Sequence, residues 1–260
     1  MDDLTLVQEL KAAREEIAGL RRALEQRDAF IHSTFGRYLT EEVLEEVLKQ
    51  KDGLQIGGER RVVTILFTDL RRSTEMSEQM SAPDFIRMLN HYLGEMIEII
   101  NAWQGNILSF VGDAIVVVFG APRQNDYAAR DAVACAVAMQ RRMPAVNDWN
   151  RAEGYPEISM GIGIHTGEAI LGNIGSETRT KYDMIGRNVN LASRIEGFTR
   201  GGQILISTET LEAAGERVLL NPAGEMRVQP KGIQSEILLH EVAGFGSQKL
   251  CTPEENKTEA

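Results

Sequence analysis

The chain has 260 residues, of which 43% are hydrophobic and 25% are charged, and this balance supports a sizeable globular core. Its formal net charge of −10 argues against nonspecific binding to nucleic acid, and no apolar run is long enough to insert into a membrane. The two cysteines, Cys135 and Cys251, lack a metal-ligand spacing and exclude a disulfide framework, so we expect a reducing, cytoplasmic setting.

Residues 1–34 are predicted to form a coiled-coil helix that brings two chains together. Apolar side chains recur at alternating spacings of four and three, with Glu, Lys and Arg between them. This heptad pattern predicts a short parallel coiled coil, although an amphipathic helix packed on its own domain would show the same pattern. The seam consists of Leu6, Leu10, Ala13, Ile17, Leu20, Leu24, Arg27 and Ile31.

A linker, residues 35–58, joins this helix to the main domain. It contains a short junction at 35–39, a predicted helix that begins at Thr40 and ends near Gln50, and a loop bracketed by glycines. Because the linker is short, we interpret it as a transducing element that passes the geometry of the coil to the domain predicted at 59–243.

That domain begins with a strand and a crossover helix. Residues 61–70 are mostly apolar and β-branched, and this predicted strand reaches an acidic residue, Asp69, just before its end. Ser81 is a good N-cap and Pro83 suits the first helical turn. Apolar residues then recur at helical spacing as far as Trp103, which predicts one long helix.

A hairpin at residues 106–120 is the centre of the predicted site. Gly112 and Asp113 suit a type II′ turn, and the apolar run at 114–119 predicts a strand covered on both faces. The right-handed crossover places the first strand parallel to one hairpin strand. If that partner is the strand after the turn, Asp69 and Asp113 could converge at one edge of the sheet. Two converging carboxylates can hold a pair of divalent cations, whereas Asp113 alone is better explained as a turn residue.

The remaining elements complete an α+β fold. A second long helix is predicted from Asp126 to about Asn150, and the strand at 158–165 carries glycines on one face, which indicate close approach by another backbone. Strand, helix, hairpin, helix and strand give a ferredoxin-like βαββαβ sandwich. We expect residues 244–260 to be a disordered tail.

A third informative segment lies at residues 181–196. Asn190 and Arg194 are four residues apart, so a helix that begins near Asn188 would place both side chains on one face. A neutral polar group and a fixed cation there could hold a sugar ring and neutralise phosphate charge. Such a pair is also typical of a solvated helix face.

Four segments together resemble the catalytic domain of class III nucleotidyl cyclases, the adenylate and guanylate cyclase family. They occur in the order and spacing of that family over about 180 residues, although each alone would be a weak signal. The segments are residues 67–70 (FTDL), 111–114 (VGDA), 161–167 (GIGIHTG) and 189–194 (VNLASR).

This resemblance implies a head-to-tail homodimer with composite active sites, in which ATP is converted to 3′,5′-cyclic AMP and pyrophosphate with two Mg²⁺ or Mn²⁺ ions per site. Asp69, Asp113 and the backbone carbonyl of Leu70 would bind the metal ions in one chain. From the other chain, Asn190 would position the ribose and Arg194 would neutralise charge on the α-phosphate.

Five further residues are implied as nucleotide contacts. Asp183 matches the base-recognition position and would accept a hydrogen bond from the adenine amine. Ser109 stands where adenylate cyclases usually have Lys and guanylate cyclases have Glu, which leaves the base selectivity less determined. Lys231 matches a lysine that contacts the triphosphate in this family. Thr74 matches the threonine that the family has at this position. Arg72 would add positive charge near the triphosphate, or it would be solvated.

Three alternatives stay open. A catalytically silent homologue would bind nucleotide and signal through its coil, but the presence of both the carboxylates and the Asn190–Arg194 pair argues against it. A nucleotidyl transferase of the polymerase-palm type would need a basic template groove, which the net charge disfavours. Ser109 leaves open GTP or a pyrimidine nucleotide as the substrate.

Overall fold

The computed structural model describes residues 3–35, 43, 56–230 and 235–250, and the chain divides into two units. The first unit, Met1–Gly53, contains helix α1, Asp3–Phe35. At 1.5 Å per residue, this helix is about 50 Å long. Three members of the predicted seam, Ile17, Leu20 and Leu24, are exposed in the single chain. The helix is therefore confirmed, and its pairing with a second copy stays a prediction.

The second unit, Leu54–Ala260, is an α+β domain, and its described residues form a nine-stranded sheet with helices packed on it. The sheet order is β2-β3-β1-β4-β6-β8-β7, with β5 paired to β4 and β9 paired to β8. The elements, in chain order, are β1 (Gly57–Leu70), α2 (Ser73–Gln79), α3 (Ala82–Ala102), β2 (Asn106–Val111), β3 (Ala114–Phe119), α4 (Ala128–Ala152), β4 (Met160–Ser176), β5 (Arg179–Ile185), α5 (Arg187–Glu196), β6 (Ile204–Ser207), α6 (Thr208–Ala214), β7 (Val218–Val228), β8 (Ile237–Phe245) and β9 (Gln248–Lys249).

Some sequence predictions fall outside the described residues. These are the linker helix, apart from the helical residue Val43, then Lys231, and residues 251–260 of the predicted tail. Within the described part of that tail, Gln248–Lys249 form β9 and pair with β8. The prediction of a disordered tail from residue 244 onward was therefore wrong for Gln248 and Lys249, because their backbone pairs with the sheet. In the part of the chain that the structure covers, no helix is both long and apolar enough to cross a membrane.

Strand β1 lies at the centre of the domain because apolar side chains on both of its faces are buried. Leu66 shares a buried cluster with apolar residues of α3 and α4, and Val63 and Ile65 share another with Ala192 of α5. The strand pairs with β4 along all of its 14 residues. Asp69 therefore lies near the end of a strand that packing and hydrogen bonds fix from both sides.

The β2–β3 hairpin joins the sheet through β3, which is antiparallel to β1. The predicted parallel relation to one hairpin strand holds for β2, but the condition that this partner is the strand after the turn was not met, because β3 lies between β1 and β2 and is antiparallel to both. The antiparallel register places Thr68, near the end of β1, opposite Ile115, near the start of β3. Gly112 has a φ of 65°, as the first position of a type II′ turn requires. The turn before β3 therefore lies beside the end of β1.

Helix α3 begins as predicted. The side chain of Ser81 accepts a hydrogen bond from the backbone N–H of Asp84, and Trp103 forms the C-cap. The buried face of the helix contains Met88, Tyr92, Met96 and Ile100. Helix α4 begins two residues later than predicted, and its Ala-rich face packs in the same cluster.

Helix α5 lies against β4 because a glycine leaves room at the contact. A Cβ atom on Gly163 would clash with the backbone nitrogen of Glu196, so the expected close backbone approach is confirmed here. His165, also on β4, is buried and bonds through one ring nitrogen to Ser207 at 2.8 Å and through the other to Asn188 at 3.1 Å. This side chain anchors the start of α5 to the sheet.

We expect acid to weaken the fold through His165. Burial lowers the pKa of this ring below its ordinary value of 6.5. Since the unfolded chain takes up the proton at a higher pH than the folded chain, acidification favours unfolding. The contribution to the free energy of unfolding should be complete above about pH 6.5 and should be lost as the pH falls from there to the folded-state pKa.

Urea unfolding at several pH values measures this effect. His165→Gln should remove part of the acid-induced loss of stability, whereas His91→Gln, at a ring stacked on Trp149, should leave it in place. An identical pH dependence in the wild type and in His165→Gln would contradict this account.

Candidate active site

Asp69 and Asp113 lie side by side at one edge of the sheet. Asp69 is the penultimate residue of β1, and Asp113 is the second residue of the turn that precedes β3. The backbone N–H of Leu70 donates a hydrogen bond of 2.9 Å to Asp113 Oδ2, which ties the turn to the end of β1. The two carboxyl groups are therefore close neighbours.

The environment of this pair suits a cation. Burial raises the pKa of Asp69 above its ordinary value, and the negative charge of Asp113 raises it further. The Asp69 side chain is nevertheless 40% exposed, so the pair has an open side. Carboxylate and carbonyl oxygens are the ligands that Mg²⁺ and Mn²⁺ prefer, and a cation here would relieve the repulsion between the two charges. The residues therefore fit the divalent ions expected from the sequence.

Sequence reasoning missed Glu196, the last residue of α5. Its carboxylate forms an ion pair with the guanidinium of Arg71, and these side chains are only 13% and 24% exposed. The Nη2 atom of Arg71 also lies 3.3 Å from Asp69 Oδ2 and donates to the backbone oxygen of Asp69 at 3.2 Å. Burial raises the pKa of Glu196, although the charge of Arg71 opposes this shift. Gly163 was a signal in the sequence that could have pointed to this contact, because the backbone of Glu196 packs against that glycine.

Helix α5 carries Asn190 and Arg194 one turn apart, on the face that points away from the sheet. Asn190 is exposed and Arg194 is partly exposed. The predicted helix is confirmed, with its first residue at Arg187. The buried residues on the opposite face are Leu191, Ala192 and Ile195.

Asp183 lies on β5, far along the sheet from the carboxylate pair. It is opposite Gly172 of β4, whereas Asp69 is opposite Gly161 of the same strand. The eleven intervening steps of extended strand span about 36 Å. That distance is much longer than a nucleoside triphosphate, so a nucleotide that contacts Asp69 and Asp183 together requires two copies of the chain.

The other predicted contacts are scattered over the surface. Ser109 is half-buried on β2, and Thr74 is exposed in the first turn of α2. Arg72 precedes α2 and forms an exposed ion pair of 2.8 Å with Glu75. Lys231 lies outside the described residues. The roles of these four residues in substrate binding stay predictions.

The model of the adenylate and guanylate cyclase catalytic domain matches residues 58–241. The chain belongs to this family. Adenylate cyclase 1 of Rhizobium meliloti (strain 1021) is 34% identical over 235 residues, which cover 88% of this chain and 34% of that relative. The chain thus spans about a third of the length of this curated relative.

Solved cyclases share the fold of this domain. The guanylyl cyclase Cya2 is 47% identical, with a TM-score of 0.73 over 75% of this chain and 100% of that one. The adenylyl cyclase CyaB from P. aeruginosa is 34% identical, with a TM-score of 0.70 over 74% of this chain and 99% of that one. The expected α+β cyclase fold is therefore confirmed. Because proteins named for either base are similar to this chain, family membership alone does not select the nucleotide.

Proposed function

We propose that this cyclase domain converts ATP into 3′,5′-cyclic AMP and pyrophosphate at sites shared between two copies of the chain. The proposal rests chiefly on the convergence of Asp69 and Asp113 at an open sheet edge, within a domain that matches the cyclase family over residues 58–241. Two rigid, partly exposed carboxylates at that position suit a reaction on a polyphosphate.

Asp69, Asp113 and the Leu70 carbonyl would hold two Mg²⁺ or Mn²⁺ ions. When bound, such ions lower the pKa of the ribose 3′-hydroxyl and neutralise charge on the triphosphate. The residues of the chain act mainly by position. Asn190 of the second copy orients the ribose, and Arg194 of that copy places a fixed cation at the α-phosphate, where charge develops as pyrophosphate leaves.

Exposed apolar side chains support an interface between two copies. Phe110 and Val111 are exposed next to the turn that carries Asp113. Ile170 and Ile185 are exposed opposite each other on β4 and β5, close to the base-reading position. A head-to-tail dimer would cover both groups and would bring β5 and α5 of one copy to the carboxylate pair of the other. Helix α1 would add a parallel coiled coil through its exposed stripe.

A lysine beside Asp183 supports the choice of adenine. The Nζ atom of Lys181 lies 3.0 Å from Asp183 Oδ2, and the backbone N–H of Met184 donates to Asp183 Oδ1 at 2.9 Å. Lys181 and Asp183 are two residues apart on a strand and therefore share a face. In the proposed complex Asp183 accepts from the 6-amino group of adenine and Lys181 donates to ring N1. Lys181 thereby supplies the cationic donor that Ser109 does not.

A GTP-using cyclase is the second candidate, and the 47% identity with the guanylyl cyclase Cya2 favours it. Guanine presents an acceptor at O6 and a donor at N1, which is the reverse of the adenine pattern. The pair formed by Lys181 and Asp183 would then have to meet the base in the opposite order.

Product identification tests the proposed reaction. Purified protein is offered ATP, GTP, CTP and UTP separately, with Mg²⁺ and with Mn²⁺, and the products are identified by mass spectrometry. We expect cyclic AMP and pyrophosphate from ATP. Asp69→Asn should lower the rate at least about a thousandfold, since metal-ion catalysis contributes several kcal/mol.

Asp126→Asn is the matched control, because it removes an exposed carboxylate away from the site and should leave the rate unchanged. Cyclic GMP in place of cyclic AMP would favour the second candidate. No cyclic product from any nucleotide would exclude the proposed reaction and would leave a silent, nucleotide-binding homologue.

Selectivity kinetics test the role of Lys181. Lys181→Met should lower kcat/KM for ATP about ten- to a hundredfold, because a hydrogen bond to a charged group contributes about 1.5–3 kcal/mol. The ratio of kcat/KM for ATP to that for GTP should fall as well. Arg179→Met removes a cation from the same face of β5 and should change neither quantity. Equal ATP-to-GTP ratios in the two variants would contradict this role.

A further inference from the structure

Arg71 connects, within one chain, the end of β1 that carries Asp69 with the end of α5 that carries Arg194. Its guanidinium contacts one carboxyl oxygen and the backbone oxygen of Asp69. It also forms the ion pair with Glu196, which lies two residues after Arg194 in the sequence. In a head-to-tail dimer, these two ends belong to different active sites. Each chain gives its carboxylates to one site and its α5 helix to the other.

We propose that the Arg71–Glu196 ion pair is a positioning link that couples the two active sites of the dimer. This proposal rests on the shared-site function proposed above. Through this link, a displacement of Asp69 in one site moves the C-terminal end of α5, and with it Arg194, in the other site.

The surroundings of the link make it stiff. The backbone N–H of Arg71 donates to the carbonyl of Ser159 at 2.8 Å, and Thr199 Oγ1 donates to the carbonyl of Glu196 at 2.7 Å. A Cβ atom on Gly161 would clash with Thr199 and would lie 3.0 Å from Arg71 Nη2. A hydrogen bond therefore holds the backbone at each end of the link, and the space between the two ends is filled.

The position of the Arg71 guanidinium suits this bridge better than it suits the hydrogen bonding of its other nitrogen atoms. Arg71 Nε is buried, and among the described residues it has no hydrogen-bond partner. Its Nη2 atom reaches both Asp69 and Glu196. If Arg71 is removed, the Glu196 carboxylate stays buried without its counterion, and the adjoining backbone has to shift. An active-site displacement of about 1 Å can lower a rate about a hundredfold, so a small shift is sufficient for coupling.

The test uses a heterodimer of two full-length chains with different affinity tags, purified by both tags in turn. One chain carries Asp113→Asn, which disables its carboxylate pair without removing a contact of Arg71, and the other carries Arg194→Ala. One composite site is then intact, because its carboxylates come from the Arg194→Ala chain and its α5 helix comes from the Asp113→Asn chain. Each new substitution can be placed so that it reaches this site only through the proposed link.

In the first arm, Arg71→Met is added to the Asp113→Asn chain, whose carboxylates the intact site does not use. We expect kcat to fall about ten- to a hundredfold, with the Mn²⁺ concentration for half-maximal activity unchanged. The control is Arg142→Met in the same chain, which breaks an Arg–Glu ion pair between α4 and α3, away from the site. A kcat that stays within twofold of this control would overturn the proposal.

In the second arm, Glu196→Gln is added to the Arg194→Ala chain, whose α5 helix the intact site does not use. This nearly isosteric change should raise the Mn²⁺ concentration for half-maximal activity severalfold, because it acts through Arg71 on Asp69. An unchanged value would overturn the proposal, and this arm decides the matter if Arg71→Met lowers the melting temperature of the dimer. A parent heterodimer without activity, beside an active wild type, would instead contradict the shared site itself.

Discussion

Two carboxylates of like charge, Asp69 and Asp113, are held against each other at the edge of the sheet. Their repulsion is overcome by the rest of the domain, in which β1 is buried on both faces and a tight turn before β3 is tied to β1 by the Leu70 N–H. In an antiparallel pair, the end of one strand necessarily meets the start of the next, so the register alone brings the two residues together. A polyanionic substrate with divalent cations is the chemistry that such a pair suits.

The same sheet explains why one chain would not complete the proposed site. The long strand β4 pairs with β1 near Asp69 at one end and with β5 near Asp183 at the other. The residues proposed to read the base and those proposed to bind the metal ions are thereby separated within a chain, and a second copy in the opposite orientation would bring them together. The exposed apolar residues beside both regions are consistent with such a contact. Within one chain, Arg71 and Glu196 then lie between the carboxylates given to one proposed site and the α5 helix given to the other.

Local patterns were sufficient to predict the elements that carry the site. The acidic residue near a strand end, the Gly112 turn and the four-residue spacing of Asn190 and Arg194 are all short-range signals, and each is found in the predicted element. The pairing of β1 was not predictable in the same way, because the crossover rule fixes the direction of strands and leaves their neighbours open. The resemblance to cyclases added the roles of these residues, which geometry within one chain does not give.

Side-chain pairs across the fold were beyond the sequence patterns. The partners Arg71 and Glu196 are 125 positions apart, and their meeting depends on the way α5 packs against β4 at a glycine. Lys181 and Asp183 are close in sequence, but alternation along a strand places every second residue on one face and does not select which of them form an ion pair. Both pairs therefore emerged only from the packed structure.

The central claim is that Asp69 and Asp113 form one metal-binding centre, and the most direct measurement is the number of Mn²⁺ ions bound per chain. Electron paramagnetic resonance can count them in the presence of an ATP analogue that lacks the 3′-hydroxyl and cannot be cyclised. The account predicts two ions per chain in the wild type and at most one in Asp113→Asn, with the protein still folded. Equal Mn²⁺ binding by the wild type and Asp113→Asn would contradict it.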